Sequence, residues 1–210
     1  MIKGYWIAHM DVSDPERYEA YRRANAEAFR KYGARFLIRA GAFERVEGVA
    51  RSRHVVMEFE DHDTALACYR SDIYQTIIPL RRGAADVDLI TIAGYEGMQP
   101  PPAAEKSAST AGKGYWLGHA DVTEPDGYKA YMAADMAPIG QYGGRFLVRG
   151  GSFERIEGSV RSRCVLLEFP SYATALAGYR SPAYQAAATL RKGKADFDLI
   201  VCEGYEGPQP

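Results

Sequence analysis

A chain of 210 residues and 23.2 kDa allows one large domain or two small ones. With 47% hydrophobic and 25% charged residues it excludes a disordered or fibrous chain, and a net charge of -1 offers no electrostatic footprint for nucleic acid or an anionic membrane. No apolar run approaches the ~18 residues of a membrane span, and the N-terminus lacks the apolar stretch and cleavage site of a secretory signal, so a soluble cytoplasmic protein is expected.

Residues 3–10 alternate Tyr5, Ile7 and His9 with Trp6, Ala8 and Met10, which predicts a strand. Ser13-Asp14-Pro15 then starts a helix, with a capping side chain before a proline whose missing N–H costs nothing in the first turn. Tyr18, Tyr21, Asn25, Phe29 and Tyr32 recur at spacings of three and four on one face, and Gly33 ends the helix. Residues 35–39 read as a second strand, with Arg35, Leu37 and Arg39 on one face. Residues 41–48 read as a short extension and turn, and 53–59 as a third strand with His54, Val56 and Glu58 on one side. Asp63-Thr64 opens a short helix through Tyr69, which Ser71-Asp72 restarts through Leu80. Residues 86–92 form the fourth strand. The order is βαββαβ, the ferredoxin-like unit.

The same text then returns. Gly4-Tyr5-Trp6 recurs as Gly114-Tyr115-Trp116, Arg35-Phe36-Leu37 as Arg145-Phe146-Leu147, and Phe43-Glu44-Arg45 as Phe153-Glu154-Arg155. At a constant offset of 110, residues 3–100 and 113–210 align without insertion and are identical at 53 of 98 positions. This is a duplication, and it divides the chain into repeats at 1–98 and 113–210 joined by a Pro/Ala/Ser linker at 99–112. Fully extended, that linker reaches about 45 Å at ~3.3 Å per residue, enough to cross the face of one repeat. A four-stranded antiparallel sheet with helices on one face leaves its other face bare. The fold class expected is therefore α+β, two ferredoxin-like repeats packed sheet to sheet as an intrachain dimeric α+β barrel, with association of further copies left open.

Gly4-Tyr5-Trp6, Asp11-Val12-Ser13-Asp14-Pro15, the block from Tyr32 to Gly41, Glu47-Gly48, Glu58-Phe59, Tyr69-Arg70-Ser71, Tyr74-Gln75 and the pair Asp86 and Asp88 together resemble the family called domain of unknown function 1330. The resemblance covers both repeats and implies a dimeric α+β barrel, with this chain a fused version of single domains that pair as homodimers. Related barrels include cofactor-free monooxygenases, polyketide cyclases, muconolactone isomerase and haem-binding enzymes, but an activity taken from them is fold analogy alone.

His9 and His119 are the histidines kept by both repeats, and a neutral imidazole there could serve as general acid or base on a small substrate. The competing reading is a hydrogen-bonded core histidine. Arg35, Arg39, Arg145 and Arg149 could clamp a carboxylate bidentately. Their competing role is to pair with Glu58, Glu168, Asp88 or Asp198 where the sheets meet, since buried charges need compensation. Tyr21 and Tyr131 could orient a ligand through their hydroxyls, or form core with Tyr18, Tyr69 and Tyr74 and their copies. Asn25 interrupts an apolar helix face and becomes Asp135 in the copy, so the two pockets differ chemically. His54 becomes Cys164. The arginines of Arg51-Ser52-Arg53 and Arg161-Ser162-Arg163 could touch phosphate, yet at a strand start they are commonly solvated. Cys68, Cys164 and Cys202 are an odd set without CxxC spacing, so neither a disulfide framework nor a thiolate zinc site is expected.

No GxGxxG, P-loop, HExxH or GxSxG occurs, and no cofactor or metal is expected. The functional expectation is a small acidic or aromatic metabolite bound between helices and sheet, as in a cofactor-independent isomerase, cyclase or oxygenase. His9 and His119 would be catalytic. Tyr21, Asn25, Arg35 and Arg39, with Tyr131, Asp135, Arg145 and Arg149, would bind substrate. The alternatives are a non-enzymatic assembly or binding module whose repeated residues are structural, and haem ligation by His9 or His119.

Overall fold

The computed structural model describes residues 1–102 and 112–210, so most of the linker read at 99–112 lies outside the described residues. The first repeat runs β1 (Gly4–Val12), α1 (Pro15–Ala24), α2 (Ala26–Lys31), β2 (Arg35–Arg39), β3 (Phe43–Glu47), β4 (Arg53–Phe59), α3 (His62–Arg70), α4 (Asp72–Arg81) and β5 (Ala85–Ala93). The second repeats it as β6 (Gly114–Val122), α5 (Pro125–Ala134), α6 (Met136–Gln141), β7 (Arg145–Arg149), β8 (Phe153–Glu157), β9 (Arg163–Phe169), α7 (Tyr172–Arg180), α8 (Pro182–Thr189) and β10 (Ala195–Glu203).

Local chemistry sets the helix starts. The Asp14 side chain accepts from Arg17 N at 3.1 Å with Pro15 in the first turn, and Ser71 and Ser181 cap α4 and α8 through the amides of Tyr74 and Tyr184. The single helix expected through Tyr32 divides at Asn25, whose own backbone stays helical, so its apolar face continues across the joint.

Two five-stranded antiparallel sheets result, ordered β2-β4-β1-β5-β8 and β3-β10-β6-β9-β7. The segment expected to be only an extension and turn is a strand in each repeat, and that strand joins the opposite sheet. Phe153 to Glu157 add to β5, and Phe43 to Glu47 add to β10. Each exchanged strand covers an edge that would otherwise present unpaired backbone groups to solvent. The tails extend the exchange, since Tyr95 N donates to Leu147 O and Tyr205 N to Leu37 O, while Gln99 and Gln209 bond both backbone groups of Phe146 and Phe36.

Alternation divides the core into three. Tyr5, Ile7, Val56, Ile90 and Ile92 meet Tyr115, Leu117, Leu166, Ile200 and Cys202 between the sheets. On the outer faces, Trp6 and Trp116 anchor separate helix-to-sheet cores. Trp6 packs against Phe29, Phe59, Tyr69 and Tyr74 and donates from Nε1 to Ala65 O at 2.8 Å, so the Gly-Tyr-Trp motif fixes α3 on β1; Trp116 does the same through Ala175 O.

Candidate functional site

A cavity of about 420 Å³ lies where the two sheets meet, and both repeats line it. The helix-to-sheet pockets anticipated from the sequence are far smaller, about 50 and 20 Å³. His9 and His119 belong to the large cavity, because β1 and β6 turn their Tyr, Ile/Leu, His faces inward. Tyr21, Asn25 and Arg39 line the small pocket of the first repeat and Tyr131, Asp135 and Arg149 that of the second, on the far sides of their sheets. The residues expected to act together are thus separated by a layer of backbone.

Arg35 and Arg39 do not share a face. The register of β2 against β4 slips between Phe36 and Ile38, so Leu37 and Ile38 both enter the core between the sheets. Arg39 emerges on the helix side, its guanidinium 4.3 Å from the Phe36 ring centroid, and β7 repeats the slip with Arg149 over Phe146. Arg35 and Arg145 pair with Glu58 at 3.0 Å and Glu168 at 3.1 Å, beside the Tyr5 and Tyr115 hydroxyls that donate to the same carboxylates. Neither arginine lines the cavities described.

His9 links three imidazoles. Its Nδ1 lies 2.8 Å from His54 Nδ1, its β4 register partner, and its Nε2 lies 2.9 Å from His119 Nε2 of the other repeat. Each contact needs one donor and one acceptor, and a neutral imidazole has one of each, so the protons of the chain His54, His9, His119 all point the same way along it. The chain ends, His54 Nε2 and His119 Nδ1, are buried without partners; one carries an N–H and the other a lone pair. His119 lacks the neighbour that His9 has because its register partner is Cys164. Burial and mutual repulsion hold His9 well below the ordinary imidazole value, and burial brings His54 and His119 down to about 4. All three are neutral at pH 7.

Arg51 and Arg161 flank the histidines and are ion-paired, with part of each side chain still exposed. Arg51 binds Asp88 and Asp11, and Arg161 binds Asp198 at 2.7 Å and Asp121 at 3.3 Å. The same aspartates hold the opposite repeat: Asp88 accepts from Ser159 N at 2.8 Å and Asp198 from Val49 N at 2.9 Å. Gly48 and Gly158 make these contacts possible, with φ of +62° and +64° and no room for a Cβ beside Asp198 and Asp88. Among the described residues, no group of three or more His, Cys, Asp or Glu is arranged to hold a metal ion. Of the two histidines weighed for haem ligation, His9 has both ring nitrogens engaged with His54 and His119, whereas His119 keeps a buried Nδ1 without a partner.

Sequence reasoning missed His54 and the charged frame of Arg51, Asp88, Arg161 and Asp198 as parts of one site. The two kept Asp-x-Asp and Arg-Ser-Arg motifs were the available signal for the frame; His54 gave none until its register with His9 was known.

The fold and the duplication agree with the comparisons. The DUF1330 family, a domain of unknown function, matches residues 3–95 and again 113–205, so the chain belongs to that family and carries its domain twice. No curated protein matches the chain. Among solved structures, an anthrone oxidase-like protein is similar with a TM-score of 0.57 and 11% identity, over 98% of this chain and 92% of that one. A candidate monooxygenase from Fusobacterium nucleatum subsp. nucleatum is similar with a TM-score of 0.51 and 9% identity, over 99% and 98% of the two chains. At these identities the likeness is one of fold: full-length barrels of two ferredoxin-like halves. No helix among the described residues is long and apolar enough to cross a membrane.

Proposed function

We propose that this chain binds a small aromatic or weakly acidic molecule in the cavity between its repeats and moves a proton on it through His9 and His119, as a cofactor-independent isomerase, cyclase or oxygenase would. The observation that carries the reading is a neutral histidine chain in a cavity of about 420 Å³ whose walls include Leu117, Leu199 and Ile200, the Val49 and Val160 segments and two Arg–Asp frames. A concave site that combines apolar walls with convergent polar groups is the usual form of a small-molecule site. Because the arginines are already held by carboxylates, a strongly anionic ligand gains little there. A ligand with an ionisable O–H or C–H suits it better: because both ring nitrogens of His9 are engaged, the proton passes to whichever end of the histidine chain carries the lone pair, His119 Nδ1 or His54 Nε2, and the ligand anion and the imidazolium offset each other's burial while Arg51 and Arg161 stand nearby.

A thermal-shift screen of small aromatic and acidic metabolites tests this, since a ligand specific for the folded state raises the melting temperature by mass action. Hits should disappear in the His9→Ala/His119→Ala protein. The second reading, an assembly module without chemistry, is favoured by one observation: Asp88 and Asp198 spend an oxygen each on the opposite repeat's backbone. It predicts that the double variant changes stability and leaves every ligand affinity as it was.

A further inference from the structure

The cavity between the sheets is less symmetric than the repeats that form it. The pairing of β3 with β10 sets the 48–51 loop of the first repeat over β10, where Asp198 accepts from Val49 N at 2.9 Å. The matching loop of the second repeat lies over β5, where Asp88 accepts from Ser159 N at 2.8 Å. There Val160 packs against the core between the sheets, while its copy in the first repeat is Ala50, which stays exposed. The walls follow this difference. Among the described residues, Leu199 and Ile200 of β10 line the cavity and their β5 copies Leu89 and Ile90 do not.

Two further differences fall on the same side. Val49 is 69% exposed at the rim of the cavity, and its copy is Ser159. A ring seated beneath Val49 removes that apolar surface from water. His54 lines the cavity and has a buried Nε2 without a partner, whereas its copy Cys164 is fully buried and does not line it. The open lobe, the apolar rim and one free end of the histidine chain therefore belong to the first repeat's side. Size narrows the occupant. An apolar cavity of ~150 Å³ takes one benzene ring, so about 420 Å³ has room for two fused rings.

We propose that the cavity takes a two-ring aromatic with an ionisable hydroxyl, its rings in the lobe between Ala50 and the pair Leu199 and Ile200, and that Ala50 sets this size limit. The hydroxyl then lies toward the lone-pair end of the histidine chain. In a close apolar wall one methylene changes affinity by ~10–200-fold, and valine adds two carbons to alanine. The placement rests on the reading of this cavity as the ligand site, but the size limit does not depend on the histidines taking the proton.

The probe is 2-naphthol, whose neutral and anionic forms emit at different wavelengths and whose excited state gives up the hydroxyl proton readily. Calorimetric titration into the full chain at pH 7 should show saturable binding of one 2-naphthol per chain, tighter than that of phenol with its single ring. Ala50→Val, which installs the copy's own residue, should weaken 2-naphthol by at least ~10-fold and phenol little, while Ala50→Ser keeps both. Absence of saturation by 2-naphthol, or undiminished binding in Ala50→Val, overturns the inference. Emission from the bound probe tests the histidines separately. Naphtholate emission reports that the O–H bond has broken and its proton has bonded to an imidazole nitrogen. Naphthol emission, from a probe that Ala50→Val still excludes, leaves the size limit standing and overturns the proton transfer.

Discussion

His9 Nε2 and His119 Nε2 lie 2.9 Å apart although 110 residues separate them, because they are the same residue of two copies meeting across the seam of the barrel. In a homodimer such a pair would be two identical imidazoles with identical surroundings. Duplication within one chain has let the surroundings diverge: His9 has His54 behind it and His119 has Cys164. The chain of three rings therefore has a polarity that a symmetric dimer could not have.

The histidines should make the protein acid-sensitive. Their folded-state values lie below the ordinary ~6.5, about 4 for His54 and His119, so the unfolded chain takes up protons first. Stability is fully present above pH 6.5 and falls as the pH drops toward 4, by up to about 3 kcal/mol for each of these two residues. Urea titrations between pH 8 and 4.5 measure the slope, and His54→Cys, which copies the second repeat, should make it shallower.

Asp135 should act in the opposite sense. Burial pushes its carboxyl up to about 7, so the folded state holds the proton more tightly than the unfolded state. Its ionisation becomes a cost that grows from pH 4 to pH 7, at most about 4 kcal/mol. Asp135→Asn should therefore compare more favourably with the parent protein at pH 8 than at pH 4. A difference in unfolding free energy that stays constant across that range contradicts the assignment.

Gly48 and Gly158 hold the exchange of strands together. Alanine at either position meets both a left-handed backbone and an aspartate of the opposite repeat, and should cost at least ~2 kcal/mol. Hydrogen exchange distinguishes this from a local effect: the amides of β3 or β8 and of Val49 or Ser159 should lose protection first, before those of β1.

Ala40 has φ of +56°, the only non-glycine residue among those described with a positive φ, and its copy is Gly150. Ala40→Gly should relieve up to ~1 kcal/mol of backbone strain, partly offset by the greater freedom of glycine in the unfolded chain. Chemical denaturation reads the sign; a destabilisation larger than ~1 kcal/mol would show that the methyl packs usefully.

Much of the architecture was written in period and punctuation. Tyr5, Ile7 and His9 alternate against Trp6, Ala8 and Met10, and the structure uses that alternation to separate the core between the sheets from the helix-side cores. What the pattern could not show was partnership at a distance. Residues 43–47 alternate weakly, their strand pairing lies in the other repeat, and flanking glycines made them resemble a turn. The slip between Phe36 and Ile38 involves no glycine, so nothing local announced that Arg39 would leave the face of Arg35. Likewise the ion pairs of Arg51 and Arg161 depend on sheet register, which is why a strand-start arginine looked solvated.

The neutral, mutually bonded histidine chain is tested most directly by the ring nitrogens themselves. With selectively ¹⁵N-labelled histidine, two-bond ¹H–¹⁵N spectra from pH 8 to 4.5 resolve the four histidines of the chain. Three of them should remain neutral well below pH 6.5, with His9 and His119 showing the shifts of a ring N–H donating to a ring nitrogen. If His9, His54 and His119 instead titrate independently near 6.5, the imidazoles are solvated and separate, and the cavity is not the proton-handling site described.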